Sequence, residues 1–459
     1  MLKHTPDIPT DDSLGDLAVA FAPDAILEAC RRDLNRVPVG ERDGWSECRF
    51  LEAFYHPRRY FRAAYALLSD PSTPVNRYWP EATIIYAHAR PRATMSARGQ
   101  LITVRGLDVE AYAFPNDRRL RSVRRFQGRE SAVETWQRWL AASGDAFRIA
   151  PDTLRRVMIR YVPEKRWVLR LRCRGLEGDG ANGKRSIAVR CATIPQCREV
   201  VRRHRIVSAC AAKSGVRVPA LSGYDESLGI MATEWIRGDD LATRLSTNHS
   251  TDLISAVAAA TSRFHDLPAP LATVNTWRAG RDVIESSCSD LGIALPEFRS
   301  ALDAIQQVAR EAPADSEYGE DVLLHDDLHP WQFRVKGADT AILDLDRACR
   351  GSAAADVANF VIQLECLGER SDSDLSVDSA RTLAKRFLHA YEIESGRAFD
   401  DAELRFHSVV ALLKLANGMM RHIRPDWRSL AGHCIRRASE LLVSPGQSVL
   451  TGGPKGASL

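Results

Sequence analysis

The chain has 459 residues, of which 45% are hydrophobic and 27% are charged. This is the composition of an ordinary globular protein, and the length is sufficient for two or three domains. The formal charge of +4 is too small to indicate nucleic acid or a membrane surface as a partner, so any strongly charged surface must be local.

The cysteines and the first residues indicate the cellular compartment of the protein. Among the ten cysteines no pair is spaced as CxxC, which favours buried, reduced thiols over a disulfide framework or a zinc site. The start, MLKHTPDIPTDDSLGD, lacks the apolar stretch of a signal peptide, and no apolar run is long enough to cross a bilayer. The sequence therefore predicts a cytoplasmic protein without a membrane partner.

The N-terminal third combines helical and extended patterns. Residues 1–20 are polar and are predicted to be flexible. The apolar spacing from LAVAFAPDAILEACRRDL to RRYFRAAYALLSD indicates helices, whereas EATIIYAHARPRATMS, GQLITVRGL and VEAYAFPND are typical of strands. AVETWQRWLAAS is helical again. We therefore expect residues 21–150 to form an accessory α+β domain.

An arginine-rich segment, RRLRSVRRFQGR, lies within this accessory region. It places six arginines within residues 118–129. A solvated helix face is the preferred interpretation, and contact with a phosphate or an acidic partner is the alternative.

Residues 151–236 have the pattern of a small sheet with one helix. Strands are predicted over 155–162, 167–174 and 186–191, followed by a helix in CREVVRRHRIVSACAAKSG and by strands in VRVPAL and GIMATEWI. The intervening GDGANGKRS fits a phosphate-binding glycine motif by spacing. However, Arg185 stands where a Walker loop needs Ser or Thr, and a strand follows instead of a helix, so a β-hairpin loop is predicted.

Residues 237–445 are predominantly helical by period, and the helices are interrupted by short strands. Helices are predicted in DLATRLS, TDLISAVAAATSRFHDL, PEFRSALDAIQQVAREA, AADVANFVIQLECLG, SARTLAKRFLHAYEIESG, DDAELRFHSVVALLKLANGMMRHI and DWRSLAGHCIRRASELLV. The Gly-, Ser- and Pro-rich tail, 446–459, is predicted to be disordered.

The stretch LLHDDLHPWQF, followed by AILDLDRA, carries the candidate chemistry. A turn between two strands that happens to be polar would explain it, and so would chemistry on a phosphate held by magnesium. For phosphoryl transfer, Asp327 suits the carboxylate that orients a hydroxyl and takes its proton. Asp344 and the carbonyl of Gln332 suit Mg²⁺ ligands. His325 completes the catalytic set as the residue that fixes the loop.

This arrangement resembles the aminoglycoside phosphotransferase and choline kinase superfamily over residues 155–445. HDDLHPWQ is similar to the HGDLHPGN-like catalytic loop of the family, and ILDLDRACRGSAAADVANF to its IDWD…G…DLA stretch. The helix AVAAATSRFHDLP is similar to a family helix that ends in a leucine-histidine pair. The resemblance implies an α+β, protein kinase-like bilobal fold, with a β-rich N-lobe at 151–236 and a helical C-lobe at 237–445, preceded by the accessory domain.

The resemblance also implies roles for single residues. Asp327 matches the catalytic base, Asp344 the principal metal ligand, and Asp356 the acid that braces the catalytic loop, while Asp346 is either a second ligand or a structural acid. The adenine-binding hinge would lie at Glu234, Trp235 and Ile236, which act through backbone groups. His329 and His265 are interpreted as packed histidines. The implied cofactors are ATP and Mg²⁺.

The sequence departs from the family pattern at positions that would bind the nucleotide and its metal ion. Gln332 replaces an asparagine among the metal ligands. Arg190 stands where the family has the lysine that binds the α- and β-phosphates, and Glu199 is its expected partner. The phosphate-covering turn, YVPEKR, has no glycine, so Lys165 and Arg166 would supply charge instead of backbone amides.

The acceptor is less clearly indicated. The first hypothesis is an ATP-dependent kinase of a small-molecule hydroxyl, of the aminoglycoside, sugar or amino alcohol type. The second is a kinase that phosphorylates Ser or Thr of a biosynthetic peptide, and the third is a nucleotide-binding pseudokinase scaffold. Acidic stretches such as SDSDLSVD would suit a cationic substrate, but helix capping explains them better.

Overall fold

The computed structural model describes residues 7–34, 43–72, 83–91, 100–247, 251–272, 274–311, 321–337, 339–370, 373–424 and 426–443. The chain divides into two compact units, the first within residues 1–201, 220–235 and 421–425, and the second within 202–219, 236–420 and 426–459. The predicted disordered tail, 446–459, lies outside the described residues. Within the described ranges no helix combines the length and the apolarity that a membrane span requires.

The first unit is rich in strands. Its strands are β1 (Glu47–His56), β2 (Tyr60–Leu68), β3 (Thr83–Ala89), β4 (Gln100–Val104), β5 (Leu107–Ala113), β6 (Arg148–Ile149), β7 (Arg155–Val162), β8 (Arg166–Leu176), β9 (Asn182–Cys191), β10 (Leu221–Asp225) and β11 (Ile230–Glu234). Its helices are α1 (Leu17–Ala20), α2 (Pro23–Asp33), α3 (Arg129–Ala142) and the first part of α4 (Ile194–Ser214).

The accessory region contains an antiparallel sheet in the order β1-β2-β3-β5-β4. The helix predicted over RRYFRAAYALLSD is wrong, because this segment forms β2. Every residue from Phe61 to Leu68 is buried, so the strand is covered on both faces and lacks the alternation that would have revealed it. The strands predicted in EATIIYAHA, GQLITVRGL and VEAYAFPND and the helix predicted in AVETWQRWLAAS are confirmed as β3, β4, β5 and α3.

Part of the N-terminal segment predicted to be flexible is packed. Ile8, Leu14 and Leu17 are buried. The carboxylate of Asp11 accepts hydrogen bonds from the Tyr55 hydroxyl at 2.8 Å and from the Arg58 amide at 2.7 Å. The polar composition of residues 7–20 concealed these anchors, which fix the segment to the β1–β2 hairpin.

A second sheet has the order β10-β11-β9-β8-β6, and β7 also pairs with β8. The predicted strand-strand-strand-helix-strand-strand order is confirmed, but the strand predicted in VRVPAL begins only at Leu221. The GDGANGK segment is a hairpin loop, as predicted. Leu176 pairs with Asn182 across it, and Gly180 takes a φ of +82°, which glycine adopts without strain.

One apolar core joins the two sheets of the first unit. Tyr86 and Tyr112 from the accessory sheet belong to the same buried cluster as Trp136 and Trp167. The predicted boundary between residues 150 and 151 is therefore crossed by continuous packing, and the bounds of the accessory domain stay a prediction. In the arginine-rich segment, Arg119, Arg124 and Arg125 are exposed.

The second unit is mainly helical. It contains the last part of α4 and the helices α5 (Leu241–Thr247), α6 (Thr251–His265), α7 (Trp277–Ala294), α8 (Arg299–Glu311), α9 (Ala353–Leu367), α10 (Val377–Ser395), α11 (Asp401–Arg421) and α12 (Trp427–Val443). Its strands are β12 (Asp239–Asp240), β13 (Val274–Asn275), β14 (Asp321–Leu324), β15 (Phe333–Lys336), β16 (Asp339–Ile342) and β17 (Cys349–Ser352). The sequence did not predict α7.

The core of this unit holds the elements that position the candidate site. Helix α10 packs against α6 and α9, and β14 lies against α6 and α9. Strand β14 forms an edge of a three-stranded sheet in the order β13-β17-β14, with β17 at its centre. All ten cysteines are free thiols, and all except Cys210 are buried, as predicted. The α+β, kinase-like fold class is confirmed.

Candidate active site

The loop after β14 is held by a buried carboxylate. Asp356, in the first turn of α9, is 1% exposed. Its Oδ2 accepts the amide hydrogen of His325 at 2.6 Å, and its Oδ1 accepts that of Asp326 at 2.9 Å. The His265 Nε2 lies 3.3 Å from the same Oδ2. Asp356 therefore braces the loop, as the resemblance implied.

His325 fixes the opposite side of this loop. Its side chain is fully buried, and its Nε2 donates a hydrogen bond of 2.6 Å to the carbonyl oxygen of Leu343. A side chain with no exposed surface positions its neighbours and does not touch a substrate. His265 is likewise packed, with its Nδ1 2.7 Å from the hydroxyl of Tyr391.

Asp327 is accessible and sits in a positive environment. Its side chain is 36% exposed, and its Oδ1 lies 3.6 Å from the Nζ of Lys414. Burial acts to raise the pKa of Asp327, but the positive charges of Lys414 and Arg347 outweigh it, so the pKa lies below its ordinary value. Asp327 is thus an ionised carboxylate that can accept a hydrogen bond and a proton.

The β15–β16 hairpin brings the predicted metal ligands close in space. Phe333 pairs with Ile342, and the Leu343 amide donates to the carbonyl oxygen of Gln332 at 2.8 Å. Gln332 and Asp344 are therefore neighbours at the same end of the hairpin. Asp344 follows the end of β16, rather than lying on the strand as predicted, and takes a left-handed φ of +57°.

The donor set at this end fits a hard divalent cation. Burial lowers the pKa of His329 to about 4, so its imidazole is neutral. The Nε2 of Gln332 lies 3.3 Å from the Nε2 of His329, an arrangement that directs the amide nitrogen toward the ring and the carboxamide oxygen away from it. Among the described residues no group of three or more His, Cys, Asp and Glu could hold a metal, and Gln332 and Asp344 offer one carboxamide oxygen and one carboxylate at this end of the hairpin.

Asp346 is placed differently from Asp344. It lies in the short 3-10 helix Leu345–Arg347, and its backbone carbonyl accepts a hydrogen bond of 2.6 Å from Arg203. This contact ties the segment after Asp344 to α4. The role of the Asp346 carboxylate as a second ligand stays a prediction.

Arg190 and Glu199 belong to the first unit and are both half-buried. Arg190 lies on β9 between Val168 of β8 and Met231 of β11, in the middle of the sheet. Glu199 lies in the early part of α4. The expected pairing of their side chains stays a prediction.

Lys165 lies in the turn between β7 and β8, and Arg166 is the first residue of β8. Lys165 places its ammonium 4.3 Å from the centre of the Phe54 ring on β1. Burial and the neighbouring guanidinium groups of Arg166 and Arg160 lower the pKa of Lys165 to about 8. Phe54 of the accessory sheet thus contacts the ammonium group of Lys165, the side chain that was predicted to bind phosphate.

In the hinge predicted at Glu234, Trp235 and Ile236, two backbone N–H groups are already hydrogen-bonded within the first unit. The Glu234 amide donates to the carbonyl oxygen of Ala220 at 2.8 Å, and the Trp235 amide donates to that of Ser186 at 3.1 Å. These two N–H groups are committed to strand pairing. An adenine contact through either N–H would break an existing hydrogen bond, and the hinge stays a prediction.

The sequence did not single out Lys414, Arg347 or Asn359. Lys414 donates a hydrogen bond of 2.7 Å to the backbone carbonyl of Asp326, and Arg347 binds the Asp326 carboxylate at 2.7 and 2.9 Å. Asn359 donates to the carbonyl oxygen of Leu328 at 2.7 Å. A signal existed for Lys414, because it is a lone cation within the apolar stretch VVALLKLA.

The brace at Asp356 leads to a prediction about stability. We expect Asp356→Ala to lower the free energy of unfolding by about 3–5 kcal/mol, because the buried amide of His325 and the partly buried amide of Asp326 lose their acceptor. Hydrogen exchange in the loop and in β14 is the measurement. Asp378→Ala is the control, since Asp378 is an exposed acid in the first turn of α10. Equal protection in both variants would contradict the bracing role.

Comparisons with known proteins give one sequence match and several structural similarities. Residues 145–407 match the model of the phosphotransferase enzyme family. The search of curated proteins gives no match. A choline/ethanolamine kinase family protein from Mesorhizobium loti is 14% identical with a TM-score of 0.42, over 62% of this chain and 87% of that chain.

Further solved structures are similar at the same level. The amicoumacin kinase hAmiN, in complex with AMP-PNP, Ca²⁺ and Ami, is 13% identical with a TM-score of 0.45, over 66% of this chain and 93% of that chain. An aminoglycoside phosphotransferase from Streptomyces rimosus is 16% identical with a TM-score of 0.37, over 53% of this chain and 89% of that chain. Structural similarities at such TM-scores do not assign a family. The sequence match spans more than half of the chain, and it assigns the chain to the phosphotransferase enzyme family.

Proposed function

Because the chain belongs to the phosphotransferase enzyme family and is thus a phosphotransferase, we propose that it moves the γ-phosphoryl group of ATP to a hydroxyl group of a small molecule. The resemblance predicted from the sequence is thereby confirmed at the level of the family. The observation that supports the proposal is the braced loop of Asp356 and His325, which presents an ionised Asp327.

Asp327 would act on the acceptor. Its carboxylate would accept a hydrogen bond from the acceptor hydroxyl, orient the oxygen toward the γ-phosphorus and take the proton as the new P–O bond forms. The bond between the γ-phosphorus and the bridging oxygen breaks, and ADP leaves with that electron pair. Lys414, 3.6 Å from the Asp327 Oδ1, would keep the carboxylate ionised before the transfer and restrain its position.

Gln332 and Asp344 would hold the cation, for which Mg²⁺ is proposed. A divalent cation supplies charge neutralisation and alignment of the phosphate oxygens when it is bound. The glutamine carbonyl reaches one methylene further than that of the family asparagine. The Leu343 amide donates a hydrogen bond to the backbone carbonyl of Gln332, which fixes the distance between the two segments that carry the proposed ligands.

On the nucleotide side, the proposed contacts belong to the first unit, apart from Ile236. Arg190 would bind phosphate oxygens with its planar guanidinium, with Glu199 as its counter-charge. Lys165 and Arg166 would add positive charge from the β7–β8 turn. The hinge would bind adenine through backbone groups.

The metal assignment gives a direct test. We expect Asp344→Ala to remove the magnesium dependence of ATP binding, because the remaining ligand, Gln332, carries no charge. The measurement is calorimetric titration of ATP into the full chain with and without Mg²⁺. Asp339→Ala is the matched control, since this exposed acid begins the strand whose other end precedes Asp344.

The same titration tests the function itself. Magnesium-dependent binding of ATP by the unaltered chain is the expected result. Absence of ATP binding in both conditions would favour the pseudokinase scaffold. A magnesium dependence that survives Asp344→Ala would place the cation elsewhere while leaving the phosphotransferase intact.

A further inference from the structure

A cavity of about 330 Å³ lies in the second unit beside the catalytic loop. Residues of α7, α9 and α11 line it, together with Asp326 from the loop itself. Lys414 connects the cavity to the proposed chemistry, because its Nζ lies 3.6 Å from the Oδ1 of Asp327. The volume is that of a site for a compact small molecule.

The charges on the cavity wall are mainly positive. Arg203, Arg347 and Lys414 line it, and Asp326 is the only carboxylate among the described lining residues. That carboxylate is already engaged, since Arg347 binds it at 2.7 and 2.9 Å. A polycationic aminosugar or an amino alcohol would meet like charges on this wall, and the described lining residues offer it no carboxylate other than the engaged Asp326.

Two buried polar atoms on the wall lack a partner within the described protein. They are the Nε2 of His407 and the Oδ1 of Asn359, and the two residues are 6% and 5% exposed. Buried polar groups are nearly always hydrogen-bonded, so atoms of this kind on a cavity wall are suited to a polar ligand. Burial lowers the pKa of His407 to about 4, and its imidazole can therefore donate or accept without adding charge.

The rest of the wall is apolar. Ala279, Val283 and Val410 line the cavity and offer contact to a carbon skeleton. The cavity thus combines a cationic end, uncharged hydrogen-bonding groups and an aliphatic surface.

We propose that this cavity binds the acceptor, and that the acceptor is a compact hydroxyl compound with an anionic group, either a carboxylate or a phosphate. This inference rests on the proposed function. Lys414 would bind the anionic group of the acceptor, and it also lies next to the proposed base Asp327. Its positive charge would therefore select an anionic substrate. Arg203 adds a second positive charge to the same wall. Of the aminoglycoside, sugar and amino alcohol types expected from the sequence, only a sugar that carries an anionic group fits this cavity.

The first test separates acceptors by charge. A cell metabolite extract is divided by ion exchange at neutral pH into anionic, uncharged and cationic fractions. Each fraction is incubated with the full chain, Mg²⁺ and γ-labelled ATP, and acceptor-bound label is identified by mass spectrometry. We expect label only in the anionic fraction. Label in a cationic or uncharged compound overturns the inference and leaves the phosphotransferase in place.

The second test uses the acceptor found in the anionic fraction. We expect Lys414→Met to raise the KM for that acceptor by about 10- to 100-fold, the range for loss of a charged hydrogen bond, with the KM for ATP unchanged. Lys414→Arg should restore most of the affinity. The matched control is Lys385→Met, which removes an exposed lysine of α10. A loss in kcat alone, with the acceptor KM unchanged, contradicts the role of Lys414 in recognition.

Failure of the inference is distinguishable from failure of the proposed function. Magnesium-dependent ATP binding without transfer to any anionic compound overturns the substrate class alone. Absence of ATP binding by the unaltered chain overturns both. Each outcome therefore decides for or against an anionic acceptor.

Discussion

Asp327→Asn is expected to abolish phosphoryl transfer while ATP binding stays nearly unchanged. Asparagine preserves the size of the side chain and can still hydrogen-bond a hydroxyl, but it cannot take the proton. Loss of a positioned general base typically reduces the rate by about 10²- to 10⁴-fold. Asp327 is 36% exposed and lies in a loop outside the strands and helices, so the substitution should not disturb the fold.

The measurement is ADP formation with the acceptor, combined with titration of ATP in the presence of Mg²⁺. Asp374→Asn serves as the control, because Asp374 is an exposed acid in the loop before α10. Unchanged turnover in Asp327→Asn would exclude its role as the base. A loss of ATP affinity would instead assign Asp327 to the nucleotide or its cation.

The pH dependence provides an independent check of the same residue. Because the pKa of Asp327 is lowered, the carboxylate stays ionised down to a pH below the ordinary value of 3.8. Removal of the Lys414 charge takes away a cause of that lowering, so the pKa should rise. The acid limb of the rate profile should consequently move to higher pH in Lys414→Met.

The positions of the candidate loop residues could be predicted from the sequence because these residues are close together along the chain. His325, Asp327 and Gln332 lie within eight positions, and Asp344 follows after a short hairpin, so spacing alone placed them near one another. The brace by Asp356 was implied only by the resemblance, because Asp356 is separated in sequence from the amides of His325 and Asp326 by 31 and 30 positions. A short sequence motif identifies residues that lie near one another along the chain, so this part of a site can be predicted from the sequence.

The cavity could not be predicted because it is assembled from distant helices. Ala279 on α7, Asn359 on α9 and Lys414 on α11 meet only through tertiary packing. The helix α7 itself was not predicted. The sequence of α11 is rich in apolar residues, a pattern that indicates a buried helix and assigns no role to its one lysine. Charge in a pocket of this kind depends on which helix faces turn inward, and this cannot be inferred from composition.

The accessory region shows the limit of periodicity. Strand β2 was predicted as a helix because YFRAAYALL is apolar without alternation, a pattern shared by strands buried on both faces and by buried helices. Its burial arises from neighbours that lie elsewhere in the chain. By contrast, the GDGANGK hairpin was predicted correctly because Gly180 and the two flanking strands carry the signal locally.

A buried ionic cluster joins the accessory sheet to the β7–β8 turn. Glu164 is 1% exposed and takes a φ of +58°. Its carboxylate accepts a hydrogen bond of 2.8 Å from Arg118 and lies 3.5 Å from Arg62 and 3.2 Å from the Nδ1 of His88. Burial lowers the pKa of His88 to about 4, so the positive charges facing Glu164 are those of the arginines.

We expect Glu164→Gln to lower the free energy of unfolding of the first unit by about 3–5 kcal/mol, because buried guanidinium groups lose their counter-charge. Hydrogen exchange in β3 and β8 is the suitable measurement, since it reports on this unit even if the two units unfold separately. Glu130→Gln, at an exposed position of α3, is the control. Arg118→Met combined with Glu164→Gln should lose less than the sum of the single changes.

The pH dependence of this loss has a defined sign. Burial acts to raise the pKa of Glu164, but His88, Arg62 and Arg118 outweigh it and hold the pKa well below its usual value of 4.5. A carboxyl whose pKa is depressed on folding stabilises the native state fully above the unfolded value, and this stabilisation is lost as the pH falls toward the folded value. The difference between Glu164→Gln and the unaltered chain should therefore be largest near neutral pH and shrink below pH 4.5. A difference that is constant with pH would mean that the shape of Glu164, and not its charge, holds the two sheets of the first unit together.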